Sequence, residues 1–416
     1  LPIKLQGLIL KRMFSVCYLF VDLNSYFAAV EQQLHPELRS RPVAVIPTPS
    51  DYTSCIAASY EAKAYGIKTG TLVKEAKRLC PNIAFRLANH RHYVEYHEKI
   101  MAAIEACHPI QQILSIDECV LKLGGRDQKL ENAIKLAHEI RGSILNLGNQ
   151  LKCSIGISTN RFLAKVASDM QKPNGLSYIL KSDIPEKLYR LKLEDFPGIG
   201  SRMLHRLNLQ GIQTTKELYQ QDLHSLRQIW GGIVGERFYH NLRGVEVETP
   251  YTPRAKSVGQ SHVLAPEFRS PEGAYKIAVR LLQKAAFRLR ETRAWTRHLH
   301  LALRFENGGR WKSELAIHET QDSLSLIQNL NQLWNKKPNG NPKKVSLVLT
   351  HLIYEDEKNA SFFDRKKREE LSHAMDKINR KFGKNILYFA ASHDAIAAAK
   401  NRIAFSKIPD FDFDEN

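Results

Sequence analysis

The stretch SIDECVLKL, residues 115–123, sets two neighbouring carboxylates, Asp117 and Glu118, inside an apolar, strand-like run from Gln111 to Leu123. In a continuous strand their side chains would point to opposite faces, so one acid would enter the core whichever face is buried. An unpaired buried carboxylate is costly. A bend between ILSI and CVLKL removes the conflict, because a hairpin turn can aim neighbouring side chains the same way. A third acid, Asp22, ends the strand-like YLFV. A sheet with these strands adjacent gathers Asp22, Asp117 and Glu118 at one edge. Three carboxylates that close repel one another unless a divalent cation lies among them. Hard oxygen ligands with room for phosphate oxygens are what Mg²⁺ prefers. On spacing alone the commoner account is plainer: two exposed turn acids and a helix cap.

The chain of 416 residues is long enough for about three or four domains. Lys and Arg number 61 against 43 Asp and Glu, a formal net charge of +18, which draws a chain to polyanions, nucleic acid before anionic membrane. No apolar run approaches the length of a spanning helix. The opening LPIKLQGLILKRMF has no long apolar segment and no cleavage site of small residues, and Met13 reads as a start preceded by twelve added residues, 1–12. The six cysteines never form a C-x-x-C pair, which argues against a zinc site and a disulfide framework and for reduced, cytoplasmic thiols.

YLFVDLNSYF (18–27), RPVAVI (41–46) and TSCIAAS (53–59) read as strands, and YEAKAYG as a helix closed by Gly66. His92 to Ala106 and LENAIKLAHEIRGSIL have helical spacing; LKCSIGIS is a strand, NRFLAKVASDM a helix and QKPNG a turn. The order strand, helix, two strands, helix, strand is that of a ferredoxin-like sheet. Short helices follow from about residue 180. Residues 248–257 carry two prolines and few apolar residues and read as a linker. Beyond it, a helix over Pro271–Thr292 precedes HLHLALRF, whose alternation puts Leu299, Leu301, Leu303 and Phe305 on one face and His298, His300 and Arg304 on the other. Lys276, Arg280, Lys284 and Arg288 fall at i, i+4 spacing and read as a solvated outer stripe. The charged tail holds one helix, Asp364–Phe382.

The segments VDLNSYFAAVE, SYEAKAYGIKTG, SIDE, CSIGISTNRFLAKVASDMQKPNG and FPGIG, in this order and spacing, resemble the Y-family DNA polymerases, the bacterial translesion enzymes of the DinB/UmuC type. The resemblance runs from about Phe14 to Leu352 and is tightest over residues 18–200. It implies a multidomain α/β fold, a right-hand polymerase. Its parts are a ferredoxin-like palm (13–27 and 92–179), small fingers (28–91), a helical helix-hairpin-helix thumb (180–247), the linker, an α/β little finger (258–352) and a C-terminal extension (353–416).

Residue by residue, the resemblance makes Asp22, Asp117 and Glu118, with the backbone carbonyl of Leu23, the catalytic ligands of two Mg²⁺ ions, with Mn²⁺ as a substitute. Asn24 stands where the family often has a further acid, as it also does in UmuC-like members. Phe27 takes the place of the steric gate under the sugar, and Ser25 and Tyr26 line the same pocket. Tyr60 and Lys63 match the Tyr and Arg that grip the triphosphate; Lys63 replaces a bidentate fork with a point charge. Lys172 matches the palm lysine near the phosphates. Gly198 and Gly200 let helix-terminal N–H groups approach a DNA phosphate. Lys256, Ser257, His298, His300 and Arg304 are the DNA contacts expected of the little finger, where residues 251–315 hold 13 Lys and Arg against 5 Asp and Glu.

The implied function is template-directed, low-fidelity, distributive synthesis in DNA damage tolerance. The enzyme is a cytoplasmic, nucleoid-associated monomer, with primer-template DNA and deoxynucleoside triphosphates as substrates. A sliding clamp or other repair proteins are candidate partners, and no membrane is involved. QDSLSLI (321–327) has the look of a clamp peptide, but it lies within the folded module. The alternative is a catalytically silent relative that scaffolds DNA and partners; such members lose the metal acids, and this chain keeps all three. A nucleotidyl cyclase would share the sheet and acids but needs neither the thumb nor the basic module.

Overall fold

The computed structural model describes residues 16–247, 254–358, 366–383 and 385–396. Expectations for residues 1–15, for 248–253 of the linker, for Asp364 and Arg365, and for the acidic end lie outside these. The described chain forms two compact units, one up to residue 247 and one from 254 onward.

The first unit opens on β1 (Tyr18–Leu23), every residue of which is buried, followed by α1 (Tyr26–Leu34). A small module comes next: β2 (Val43–Ile46), β3 (Ala57–Ala58), α2 (Tyr60–Lys63), α3 (Val73–Leu79) and β4 (Ala84–Leu87), with sheet order β3-β2-β4. The strand expected over 53–59 shrinks to two residues. Its first half bonds to the following loop instead, through Cys55 N–H to Thr71 O (2.8 Å) and Val73 N–H to Thr53 O (2.9 Å).

The chain returns through α4 (His90–Cys107), β5 (Gln112–Ile113), β6 (Glu118–Lys122), α5 (Leu130–Leu147), β7 (Cys153–Ser158), α6 (Arg161–Met170) and β8 (Leu176–Ile179). These build a five-stranded sheet of order β5-β6-β1-β7-β8, antiparallel except for β7-β8. The expected hairpin is present: β5 and β6 pair antiparallel, Asp117 lies in the bend and Glu118 begins β6. Four short helices complete the unit: α7 (Ser201–Leu209), α8 (Thr215–Gln220), α9 (Leu223–Trp230) and α10 (Ile233–Leu242).

The second unit consists of β9 (Ser257–Val263), α11 (Pro271–Glu291), β10 (Ala294–Phe305), β11 (Arg310–Thr320), α12 (Ser323–Trp334), β12 (Pro342–Tyr354) and α13 (Lys366–Phe382). Its antiparallel sheet runs β11-β10-β12-β9. Leu299, Leu301, Leu303 and Phe305 are buried in one core with Ile277, Leu281 and Leu330 of the helices, as the alternation requires. The tail helix is docked on this unit. The Arg290 guanidinium grips Asp376 at 2.6 and 2.9 Å, Trp295 donates to Glu369 (2.8 Å), and Ser372 donates to Asp322 (3.1 Å). Gln321 and Asp322 are buried and Asp322 caps α12, so the start of QDSLSLI is internal.

The α11 stripe departs from the solvated face expected of it. All four of its cations are half-buried, and Lys276 pairs with Glu272 (3.2 Å) and with Asp394 of the tail (2.8 Å). Burial lowers the Arg280 and Arg288 guanidinium pKa values. Asp394 of the tail meets Lys276 and the Gly259 carbonyl of β9 meets Arg288 (3.4 Å), partners that the helix sequence by itself does not reveal.

Candidate active site

Antiparallel pairing of β1 with β6 sets Asp22 directly opposite Glu118, and Leu23 N–H donates to the Asp117 carbonyl (2.8 Å), which closes the edge over the bend. On the other side of β1, β7 carries α6 in close contact. A Cβ on Gly156 would fall 2.0 Å from the Ala164 carbonyl and 2.3 Å from Ser168 N, so only glycine lets the helix sit this low. That approach brings Lys165 onto the acids. Its ammonium contacts Asp22, Glu118 at 2.6 Å and, one turn along the helix, Asp169 at 3.5 Å. Lys172, from the QKPNG turn, contacts Asp22 and Asp169, each at 2.7 Å. Asn24 fixes that turn by accepting Asn174 N–H (2.7 Å) while its amide donates to Ser154 of β7 (3.0 Å).

Burial pushes the Asp22 carboxyl up, but the Lys165 and Lys172 ammonium groups together outweigh it and hold it below the usual carboxylate range. The other two acids go the opposite way. Burial raises Asp117 against the hydrogen bond from Ser115 (2.6 Å), and the charge of Asp22 adds to the rise. Burial also raises Glu118, more than Lys165 lowers it. Burial works against the charge of Lys165, yet Asp22, Asp169 and Glu118 hold its pKa above the ordinary lysine value. Four carboxylates, those of Asp22, Asp117, Glu118 and Asp169, thus stand against the two ammonium groups in contact with this edge.

The expected nucleotide pocket borders this edge. Ser25 holds a left-handed backbone (φ 49°), unusual for a residue with a side chain, and its hydroxyl is buried with no hydrogen-bond partner among the described residues. Phe27 is buried and stacks on Tyr93 of α4 (centroids 4.2 Å, 13° between planes). Tyr93 is anchored in turn: its hydroxyl donates to Glu31 (2.8 Å), and its carbonyl accepts from Tyr26 (2.5 Å). Tyr60 and Lys63 share a face of α2, the ammonium lying 4.3 Å from the ring centre. Burial, then the charges of Asp22 and Asp169, push the Tyr60 phenol up to about 12. Burial, then Lys172, lowers Lys63. Both side chains thus feel the groups of the acid edge.

The remaining expected residues belong to other elements. Gly198 has φ 93° and Gly200 caps α7, in a turn that follows a three-residue 3₁₀ segment, Leu193–Asp195. Gly231 (φ 79°) and Gly232 (φ 125°) form a hairpin, between α9 and α10, which the sequence reading passed over. In the second unit Lys256 and Ser257 are exposed at the start of edge strand β9. His298, His300 and Arg304 occupy the polar face of β10. His298 stacks on His351 (4.1 Å), and His300 meets Glu314 (2.9 Å) and Thr350 (2.8 Å). Lys165, Asp169 and Tyr93 were not singled out from sequence, although Lys165 and Asp169 lie four residues apart inside the motif FLAKVASDMQK.

Among the described residues, no three His, Cys, Asp or Glu side chains are gathered as a metal shell would be. The Lys165 ammonium stands between Asp22 and Glu118 instead. The donor chemistry nevertheless suits a hard divalent cation. Asp22 on β1 faces Glu118 on β6 with Asp117 in the bend next to it, all oxygen donors, near a buried Ser25 hydroxyl that lacks a partner among the described residues.

Acids at one edge of a ferredoxin-like sheet, beside a strand-helix module and a hairpin-bearing helical domain, define a nucleotidyl-transfer palm with its fingers and thumb. Residues 21–169 match the impB/mucB/samB family, residues 255–362 that family's C-terminal domain, and residues 194–246 the thumb domain described for DNA polymerase iota. DNA polymerase IV of Clostridium kluyveri is 30% identical over 385 residues, spanning 88% of this chain and 96% of the relative. DNA polymerase IV of Pelotomaculum thermopropionicum is 29% identical over 387 residues, spanning 90% and 94%. A solved Y-family DNA polymerase chimera of Dbh and Dpo4 superposes with a TM-score of 0.69 at 22% identity, covering 82% of this chain and 100% of that one. The chain belongs to the Y family of DNA polymerases, of the bacterial DinB/UmuC type. It is a nucleotidyltransferase with that family's multidomain α/β architecture.

Proposed function

We propose that this polymerase extends a primer 3′-hydroxyl by two-metal nucleotidyl transfer at the edge where Asp22 faces Glu118. The observation that carries the reading is the register of β1 on β6, with Lys165 and Lys172 converging on the same carboxylates. Asp22, Asp117 and Glu118, with the Leu23 carbonyl, would hold two Mg²⁺ ions, or Mn²⁺ in their place. When bound, the ions supply an activated attacking oxygen and stabilise the leaving pyrophosphate. The protein contributes position and charge and needs no nucleophile of its own.

Lys172 and Lys63 hold the triphosphate as point charges. Tyr60, its phenol raised to about 12, stays protonated and donates to a phosphate oxygen. Phe27, braced flat by Tyr93, fills the volume a 2′-hydroxyl would take, and Ser25 and Tyr26 line the pocket beside it. Gly198 and Gly200 offer backbone N–H groups to a DNA phosphate. Lys256, Ser257, His298, His300 and Arg304 grip the duplex without reading its sequence. Copying is low in fidelity and distributive and serves damage tolerance. The enzyme works as a monomer in the cytoplasm, at the nucleoid, recruited by a sliding clamp or another repair protein.

One observation favours the silent scaffold: an ammonium, that of Lys165, occupies the place of a cation. Primer extension on a primed template with Mg²⁺ and the four deoxynucleotides separates the readings. The wild type should extend, and Asp117→Ala with Glu118→Ala should abolish extension while DNA binding, which rests on the basic surface, persists. Full extension by the double variant would sink the metal-site assignment. No extension by either protein, with binding intact, would favour the scaffold.

A further inference from the structure

Lys165 and Lys172 both touch the acid edge, but they are not equivalent. Lys172 spans Asp22 and Asp169, whereas Lys165 bridges Asp22 on β1 and Glu118 on β6, joining the two strands through one charge. Its stem rises from the middle of α6, which Gly156 seats directly on β7, and the ammonium lies 5.1 Å from the Phe20 ring centre. Lys165 also has a second resting place, Asp169, one turn along its own helix at 3.5 Å.

We propose that Lys165 is the resident counter-ion of the acid edge and makes metal binding conditional on the nucleotide. This rests on the metal-site reading above. A divalent cation arriving alone has to displace an ammonium from both Asp22 and Glu118. A triphosphate arriving with its cation offers phosphate oxygens to Lys172 and Lys165, and Asp169 accepts the Lys165 N–H groups that the phosphate leaves unpaired. The two carboxylates are thereby freed together. Metal and nucleotide thus favour each other's binding through one side chain, and the coupling is reciprocal.

The test is Mn²⁺ binding to the full, nucleotide-free chain, followed by the electron paramagnetic resonance of free Mn²⁺. Lys165→Met keeps the length of the stem and removes the charge. It should bind Mn²⁺ about tenfold more tightly than wild type, within the usual range of coupling between sites, and Lys165→Arg should bind as weakly as wild type. Equal or weaker binding by Lys165→Met, or tight binding by Lys165→Arg, would overturn the proposal. In chelator Lys165→Met should melt below wild type, and Mn²⁺ should close that gap. A gap that Mn²⁺ leaves open would mean that Lys165 only supports the fold, and would also overturn it. If the methionine variant does not fold, Lys165→Gln answers the same question. Asp22→Asn separates the two layers of the argument. Unchanged Mn²⁺ binding there refutes the metal site itself, whereas binding lost there but not tightened in Lys165→Met refutes the counter-ion alone.

Discussion

Two places in this molecule bury opposite charges, and they do so differently. In the little finger Arg290 is 8% exposed and makes four hydrogen bonds: two to Asp376, one to the Gln321 carbonyl (2.8 Å) and one to the Ser323 hydroxyl (3.1 Å). One cation meets one anion, and the remaining donors find oxygen. At the palm edge two lysines serve Asp22, Glu118 and Asp169, and Asp117 stands close by with no ammonium of the described residues in contact with it. Burial raises Asp117 and Glu118, so ionising either one costs the fold. Balanced burial holds a tail helix to its domain. The palm edge, where carboxylates outnumber the ammonium groups in contact with them, is the place proposed above for the metal ions.

The largest effect expected from this contrast is structural. Arg290→Ala would strand Asp376 in a buried position and should cost about 3–5 kcal/mol in urea unfolding of the little-finger unit. A loss of less than about 1 kcal/mol would put that pair among weak surface bridges and remove one side of the comparison.

The ring pair beside the acid edge repeats the contrast in apolar form: Tyr93 is anchored through its hydroxyl, and Phe27, stacked on it, is the ring proposed to meet the sugar. Phe27→Ala should raise ribonucleotide use by about tenfold or more, equivalent to about 1.4 kcal/mol of lost discrimination. Tyr93→Phe, which keeps the stacking and loses the bond to Glu31, should leave discrimination near wild type. Unchanged sugar selection in Phe27→Ala, measured by single-nucleotide incorporation, would take Phe27 out of the gate.

Exposed charge should behave in a third way. Arg304→Ala, on the open face of β10, should weaken DNA binding evenly across sequences and lower the slope of log affinity against log salt by about 0.9. A sequence-dependent loss would make Arg304 a base reader instead.

The smallest effect sharpens the comparison most. Burial, and the charge of Asp22 after it, set the folded Asp117 pKa above its unfolded value of about 3.9. The folded chain therefore binds this proton more tightly than the unfolded chain does. The stability so contributed is fully present below the unfolded value and is lost as pH rises through the folded one. In chelator, Asp117→Asn should melt higher than wild type at neutral pH and match it below about pH 3. Mn²⁺ should reverse the neutral order. A lower melting point for Asp117→Asn in chelator at neutral pH would make Asp117 a structural acid like Asp376.

Much of this was legible in the sequence wherever the governing period is local. The alternation of HLHLALRF sorted Leu299, Leu301, Leu303 and Phe305 into the core, and the acid pair in SIDECVLKL demanded the bend that Asp117 now occupies. Contacts that depend on how elements stack were not legible. Lys165 meets Asp22 across 143 positions, and only because Gly156 lets α6 settle on β7; neither fact shows in the spacing of FLAKVASDM. Tyr93 under Phe27 is a meeting of two helices far apart in the chain. The α11 stripe looked solvent-facing because its partners come from elsewhere in the chain, Asp394 for Lys276 and the Gly259 carbonyl for Arg288. Asn24 looked like a missing acid, yet it ties the turn that presents Lys172.

The most direct test is crystallographic: a complex with primed DNA, Mn²⁺ and a non-hydrolysable deoxynucleotide, read by the anomalous scattering of manganese. Peaks are expected within about 2.0–2.2 Å of carboxylate oxygens of Asp22, Asp117 and Glu118, with the Lys165 ammonium withdrawn from between Asp22 and Glu118. A bound nucleotide with no manganese at those acids, and Lys165 still bridging them, would contradict it.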